Sequence, residues 1–589
     1  MWTIRERQLC FKCLALFRNC RSYSTPSYMH NAVSEPLRAL TLGKILENTA
    51  QTHGDRPAIV SRSQKVTLTF QQVLDQADRV AAGFRRIGLD PGDRIGLWAP
   101  NLVEWYVTHM ACARGGYILV NLNPSYVAEE VRNCINSVGL KGIVCPAQYR
   151  KQDYYQHLAD ISPDILSSDP GKIQSKNMPS LRTVVIMPGH DSLRGTFSYE
   201  ELFDLPSESD IKQVKSMQDH IKPDDVCHFQ FTSIANNSYL VGRRNELHTK
   251  HHTICLQAPF FHVFGTVVAI GGALHHAATL VLPAPTFNPD KSLDAICDEK
   301  CTMICGTPTM YVDLINRQQL RKLDIHPEIA ISGGAPSSVH LFQEMKKHLN
   351  LRKVKSIYGL SESTAVAFQS LPDDDELHST STVGYVGDHL EVKIVDAEVR
   401  RDEDDGMPAP ADQVLKKAFF QGKIVPRGTP GELLIRGYST TLGYWQNEEK
   451  TNELIGRDKW LHTGDQFVLQ EDGYGRIVGR IKDMIIRGGE NIYPIEVEDV
   501  LNQHPHVLEV QVVGLPHERL GEEVCACIRV QKNMSVTLSD LKTHCAGKLA
   551  RFKIPSRLEI FDSFPKTTSG KIQKHKIIET IVKERQFCN

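Results

Sequence analysis

Apolar positions recur at helical spacing early in the chain. Val73, Leu74, Ala77, Val80, Ala81, Phe84 and Ile87 fall on one face of a helix. Gly88 ends that helix, Pro91-Gly-Asp93 makes a turn, and Arg94 to Trp98 reads as a strand. Asn101 to Ala113 is helical again, Gly115-Gly116 breaks it, and Tyr117 to Val120 is a short β run. Strands alternating with helices predict an α/β fold whose sheets are largely parallel and covered by helices. The most apolar stretch, Thr266 to Ala284, is interrupted by Gly271-Gly272 and His275-His276. It reads as buried helix plus strand, so no transmembrane segment is expected.

Beyond Gly479 the rhythm changes. Glu509 to Gly514 and Val524 to Val530 read as strands and Leu538 to Leu549 as a helix, a short α+β unit. Residues 396–427 are polar and charged and read as a surface loop. A hinge near Arg480–Asp483 therefore divides a large domain, 35–480, from a small mobile one, 481–589.

A chain of 589 residues is too long for one core and suggests two to four domains. With 41% hydrophobic and 23% charged residues it is an ordinary globular composition. A net charge of −1 gives no reason to expect a nucleic-acid partner. Cys10-x-x-Cys13 and Cys525-x-Cys527 are the only close cysteine pairs, and neither has a second ligand pair at zinc spacing. They read as free thiols in a reducing compartment. Residues 1–34 hold Arg5, Arg7, Lys12, Arg18 and Arg21 against the single acid Glu6, with Leu9, Phe11, Leu14 and Phe17 between them and serines after. That is the pattern of a mitochondrial transit peptide, with Arg21-Ser-Tyr23 as a plausible processing site.

Four segments carry candidate chemistry. Tyr358-Gly-Leu-Ser-Glu362 follows a strand-like run; an aromatic ring there can stack on a purine, and a carboxylate four residues on can hold Mg²⁺. Alone it is equally a strand-end turn. Trp460 to Asp465 ends in an acid that can accept from both ribose hydroxyls, or is simply a turn residue. Pro565-Lys-Thr-Thr-Ser-Gly-Lys571 is a polar loop whose lysine can offset repulsion between two anions, or is a solvated basic loop. Ser332-Gly-Gly-Ala-Pro336 is a tight turn after a strand. Gly479-Arg-Ile-Lys-Asp-Met-Ile-Ile-Arg-Gly-Gly-Glu-Asn-Ile-Tyr-Pro494 completes the set.

Together and in this order, these segments resemble the acyl-CoA synthetase branch of the ANL superfamily of adenylate-forming enzymes, over residues 40 to 580. The resemblance implies an N-terminal AMP-binding domain and a C-terminal AMP-binding-enzyme domain. It implies that Tyr358 stacks on adenine beside Gly334 and Ala335, that Ser361 contacts phosphate, and that Glu362 holds Mg²⁺. Asp465 and Arg480 are then the ribose ligands, Lys482 the hinge residue, and Lys571 the lysine of the adenylation step. Gly488 and Gly489 are implied to line a pantetheine channel after domain rotation. His262 would gate the acyl pocket, or is a core histidine, and Gly306 would shape that pocket. The implied reaction joins a fatty acid, preferably of medium chain, to CoA using ATP, through an acyl-adenylate, in the mitochondrial matrix. Light emission of the luciferase type fits Gly488-Gly489 less well, and no carrier domain supports a peptide-synthetase module.

One piece of the pattern is missing. The family continues Thr-Ser into Ser-Gly-Thr-Thr-Gly-x-Pro-Lys-Gly, then a strand and a helix start. Here Phe231-Thr-Ser233 runs straight into Ile234-Ala-Asn-Asn237. The resemblance implies that roughly 15–20 residues are absent, including the loop whose backbone N–H groups would cradle the phosphates. A catalytically impaired splice variant or pseudoenzyme of the same family is therefore the alternative to an active ligase.

Overall fold

The computed structural model describes residues 25–189, 193–228, 234–335, 337–396, 422–531, 533–568 and 570–588. The helix expected from the first apolar stripe runs Phe70–Arg86 and starts on a capping box, Thr69 with Gln72. Its inward stripe of Val73, Leu74, Ala77, Val80, Ala81 and Phe84 is buried. Burial of such a stripe stabilises a helix far more than its intrinsic propensity does.

Two sheets follow the predicted α/β rhythm. One has five parallel strands in the order Phe197–Ser198, Thr183–Ile186, Gly142–Cys145, Arg94–Leu97, Ile118–Asn121. The other has nine strands. Six of them, from Lys353–Tyr358 through Ile329–Gly333, Met303–Gly306, Thr253–Leu256 and Thr279–Leu282 to Pro57–Ser61, are parallel, and antiparallel strands flank them. The apolar stretch after residue 264 is a buried π-helical turn, Phe264–Gly271, then a short helix and the strand Thr279–Leu282. Among the described residues, no helix is long and apolar enough to cross a membrane.

A third sheet of the large domain is antiparallel, which the alternating rhythm does not foretell. Its order is Tyr28–His30, Leu390–Val395, Gly431–Gly437, Leu461–Leu469, Gly475–Arg480. The first strand lies within the segment read as a leader, 1–34. Residues 25–34 belong to the described fold, Ser27 is buried, and Met29 pairs with Val392. Residues 1–24, with Cys10, Cys13 and the processing site, lie outside the described residues, as does most of the polar loop, 397–421.

The small domain is a five-stranded sheet centred on Gly521–Val530, which pairs with Val507–His517 on one side and with Ile485–Arg487 and Arg557–Ile560 on the other, packed by the helices Pro494–Leu501 and Leu538–Cys545. Cys525 and Cys527 share one strand, both buried, with sulfurs 3.9 Å apart.

Candidate functional site

The parallel strands of the nine-stranded sheet point their carboxyl ends at one cleft, the usual ligand edge of such sheets. Ile329–Gly333 delivers Gly334, whose φ of 86° suits glycine. Lys353–Tyr358 delivers Tyr358, whose ring packs near Phe368 and Phe467. The next residue must be small, because a methyl group on Gly359 would fall 2.1 Å from the Ala365 carbonyl oxygen.

The antiparallel sheet supplies the ion pair. Asp465 and Arg480 face each other in register on neighbouring strands, with Arg480 Nε 3.2 Å from Asp465 Oδ1. The Tyr358 hydroxyl donates to Asp465 Oδ2 at 2.7 Å. Asp465 is only 2% exposed, and its Oδ1 has no hydrogen-bond partner. Burial pushes its carboxyl above the ordinary range, while Arg480 and the Tyr358 hydroxyl oppose that rise. Burial, together with the adjoining carboxylate, keeps the Tyr358 phenol protonated, so it is the donor.

Lys571 enters this cleft from the small domain. Its Cε lies 3.7 Å from where a side chain on Gly334 would begin. Burial lowers its pKa first and Arg480 second, while Asp465 and Glu362 act the other way. The cleft has a volume of about 1110 Å³, and its walls include Gly334, Ala335, Tyr358, Asp465, Arg480, Lys482 and Lys571. Lys482 sits in the short turn Ile481–Asp483 between the two domains.

The other residues expected from sequence stand around this cleft. Ser361 and Glu362 occupy a single 3₁₀ turn. Glu362 Oε1 accepts from the Tyr444 hydroxyl at 2.9 Å, and its backbone carbonyl accepts from Thr441 N–H. Behind that turn, Thr364 and Ala365 both hold positive φ, 52° and 78°. Non-glycine residues adopt this region only when the surroundings impose it. The carboxamide of Asn237 imposes it here, donating to the carbonyls of Thr364 at 2.6 Å and Val366 at 3.1 Å. His262 is neutral, its pKa pushed down to about 3 by burial, with Lys571 adding to the shift. Its Nδ1 accepts from Phe264 N–H. Gly306 ends a buried strand, with Gln257 Oε1 2.6 Å from where a Cβ would stand. Both polar atoms of the Gln257 carboxamide are buried without a partner. Gly488 and Gly489 form an exposed turn on the small domain, and neither is on the cleft wall in this domain arrangement.

Sequence reasoning missed Asn237, Gln257 and Tyr444. Asn237 was visible only as a landmark beside the junction, and its three acceptors lie some 130 residues away. No signal in the sequence marks the other two.

The groups present fit a nucleotide. The Asp465 Oδ1 atom is buried and makes no hydrogen bond, with the Arg480 guanidinium 3.2 Å away, so a hydroxyl donor is the group it lacks. Among the described residues no three His, Cys, Asp or Glu side chains cluster as a metal site. Mg²⁺ suits such a site, since it takes one carboxylate and fills its shell with phosphate oxygens and water. Glu362 is the carboxylate that fits. The junction segment, 229–233, lies outside the described residues, and the chain resumes as the helix Ile234–Arg244.

Comparison with known proteins gives a consistent result. The model of the AMP-binding enzyme family matches residues 46–233 and 234–445, and that of the AMP-binding enzyme C-terminal domain matches 496–571. The medium-chain acyl-CoA ligase ACSF2, mitochondrial, of Danio rerio is 37% identical over 582 residues, covering 95% of this chain and 91% of that protein. The crystal structure of the anthranilate CoA ligase AuaEII in complex with anthranoyl-AMP has a TM-score of 0.75 at 22% identity. It covers 93% of this chain and 98% of its own. ATP-bound MatB from Rhodopseudomonas palustris has a TM-score of 0.70 at 23% identity, covering 92% and 99%.

Proposed function

The chain belongs to the AMP-binding enzyme family, and on that premise we propose that its site is that of a medium-chain fatty acid–CoA ligase. The overall reaction turns fatty acid, ATP and CoA into acyl-CoA, AMP and pyrophosphate. The observation that carries the reading is the meeting of Lys571 with Asp465, Arg480, Tyr358 and Gly334 in one interdomain cleft.

Each residue then has a physical task. The ring of Tyr358 gives the adenine a face to stack on, beside Gly334 and Ala335. Asp465 Oδ1 takes the ribose hydroxyl it lacks, and Arg480 shares the charge. Lys571 sits where a carboxylate must approach the α-phosphate, and its ammonium offsets their repulsion. Glu362 would hold Mg²⁺, which when bound would supply positive charge to the triphosphate, and Ser361 would contact phosphate. Neutral His262 presents an uncharged wall to an apolar acyl chain near Gly306. Lys482 is the pivot, and Gly488-Gly489 serve the CoA half-reaction in another domain orientation. The relatives named as mitochondrial and the basic leader pattern support a mitochondrial location, with the matrix as the expected compartment.

A second reading rests on a separate observation. The match to the family model breaks in two between Ser233 and Ile234, at the point where the phosphate loop is expected. Adenine, ribose and Lys571 sites are then present while the cradle for the β- and γ-phosphates is not. The test is octanoate-dependent ATP–pyrophosphate exchange by this chain, begun at Ser24, beside the same chain with a family phosphate loop inserted after Ser233. Exchange by both supports the ligase reading for this chain as it stands. Exchange by the repaired chain alone makes this chain an inactive form. Exchange by neither, from folded protein, refutes the ligase reading.

A further inference from the structure

The loop that carries Lys571 is gripped from two sides by the large domain. On one side, Thr568 Oγ1 donates to Asn123 Oδ1 at 3.0 Å and lies 3.3 Å from Ser125 Oγ. On the other, Thr309 Oγ1 donates to the Gly570 carbonyl at 3.0 Å. These are the only contacts of Thr568 and Gly570 to the large domain by hydrogen bond among the described residues.

The grip is rigid at both ends. Asn123 follows the strand Ile118–Asn121, and its backbone carbonyl accepts from the indole of buried Trp98. Its side-chain oxygen also accepts from Ser125 N–H at 3.0 Å. Thr309 follows the strand Met303–Gly306 of the other parallel sheet. The Lys571 loop thus bridges the carboxyl edges of both parallel sheets. The loop itself is closed, with Thr567 N–H on the Lys571 carbonyl at 2.7 Å and Lys571 N–H on Thr567 Oγ1 at 3.0 Å. Gly570 has φ of 83°, and a methyl group there would meet Thr307 Oγ1 at 3.0 Å. A loop so tightly closed moves as one piece, so fixing Thr568 and Gly570 fixes Lys571.

We propose that Asn123 and Thr309 are positioning residues for the adenylation step: a two-sided catch that holds the small domain in the orientation placing Lys571 in the cleft. The role rests on reading Lys571 as the adenylation lysine, but the catch itself is measurable without catalysis. Asn123 acts on the Lys571 loop through its hydrogen bond from Thr568.

The test is the rate at which Lys571 of the ligand-free full chain is acetylated by N-hydroxysuccinimidyl acetate, read by peptide mass spectrometry against exposed Lys172 in the same sample. Each lost hydrogen bond should raise the undocked population, and so Lys571 acetylation, about fivefold in Thr309→Val and in Thr568→Val. Two independent contacts should combine to about 25-fold in the double variant. Thr309→Ser and Asn123→Asp keep the donor and the acceptor and should match the parent chain, whereas Asn123→Ala should resemble Thr568→Val. An unchanged Lys571 rate in the double variant, or equal rates in Thr309→Ser and Thr309→Val, overturns the catch. A separate arm adds an octanoyl-sulfamoyl-adenosine probe to the parent chain. If the probe leaves Lys571 acetylation unchanged, the adenylation reading of Lys571 fails, whatever the variants show.

Discussion

Replacing Tyr358 by Phe removes one hydroxyl and leaves the ring. In the structure that hydroxyl donates to Asp465 Oδ2 at 2.7 Å, and Asp465 is 2% exposed, so bulk water cannot take its place. A hydrogen bond to a charged group contributes about 1.5–3 kcal/mol. The lower part of that range applies, because Arg480 stays 3.2 Å from the other oxygen and retains the ion pair. If Asp465 meets the ribose only while the phenol holds it, about 1.5–2 kcal/mol of binding is lost, a factor of about 10–30 in Kd. The assay is calorimetric titration with octanoyl-sulfamoyl-adenosine, an adenylate mimic that has no β- or γ-phosphate and so does not depend on a phosphate loop. A double-mutant cycle with Asp465→Asn isolates the coupling of the two side chains. Binding is the right readout, since two domains need not unfold in one transition. A Kd for Tyr358→Phe within twofold of the parent chain refutes the claim that the hydroxyl orients Asp465.

Three further outcomes are expected. Asn237→Ala leaves the Val366 carbonyl unpaired and the Thr364 carbonyl with only Val366 N–H, and should loosen the Glu362 turn by about 1–3 kcal/mol, read as faster amide exchange over residues 359–366; unchanged exchange there counts against it. In the loop-repaired chain, Lys571→Ala should cut pyrophosphate exchange about 100-fold. The parent's alkaline limb should fall at a lower pH than an ordinary lysine gives, because burial lowers the Lys571 pKa. His378 bridges Asp472 and Asp375, and the hydrogen bond to Asp472 is the main cause of its raised pKa. A raised folded-state pKa stabilises fully below the unfolded value, about 6.5, and that stabilisation is lost as pH rises through the folded value. His378→Gln should therefore flatten the slope of Tm between pH 6 and 8, an effect of no more than about 1 kcal/mol at so exposed a site.

The two parallel sheets were legible because their strands and helices alternate along the chain, and each apolar stripe is local. The residues that gather in the cleft were legible for a related reason. Gly334, Tyr358, Asp465, Arg480 and Lys571 each sit in a short motif at the end of a strand or in a loop, and order along the chain announces them together. The antiparallel sheet was not legible, since Met29 pairs with Val392 and nothing near either residue records the other. The same holds for polar residues that work at a distance. Asn237 reaches Thr364, and Thr309 reaches Gly570, through bonds fixed only once the chain has folded. The junction at Ser233–Ile234 shows the converse: an expectation drawn from the sequence alone, with residues 229–233 outside the described residues.

The strand Tyr28–His30 has a consequence for the order of events as the chain is made. Its partners follow it much later as the chain is made, with the Tyr28 hydroxyl bonding to Glu391, 363 positions on. Closing so long a loop is slow, and the strand has no other sheet to join meanwhile. Until Leu390–Val395 emerges, Tyr28–His30 lacks the strand it pairs with. Its docking then adds the edge strand of the sheet, so a strand made early arrives late.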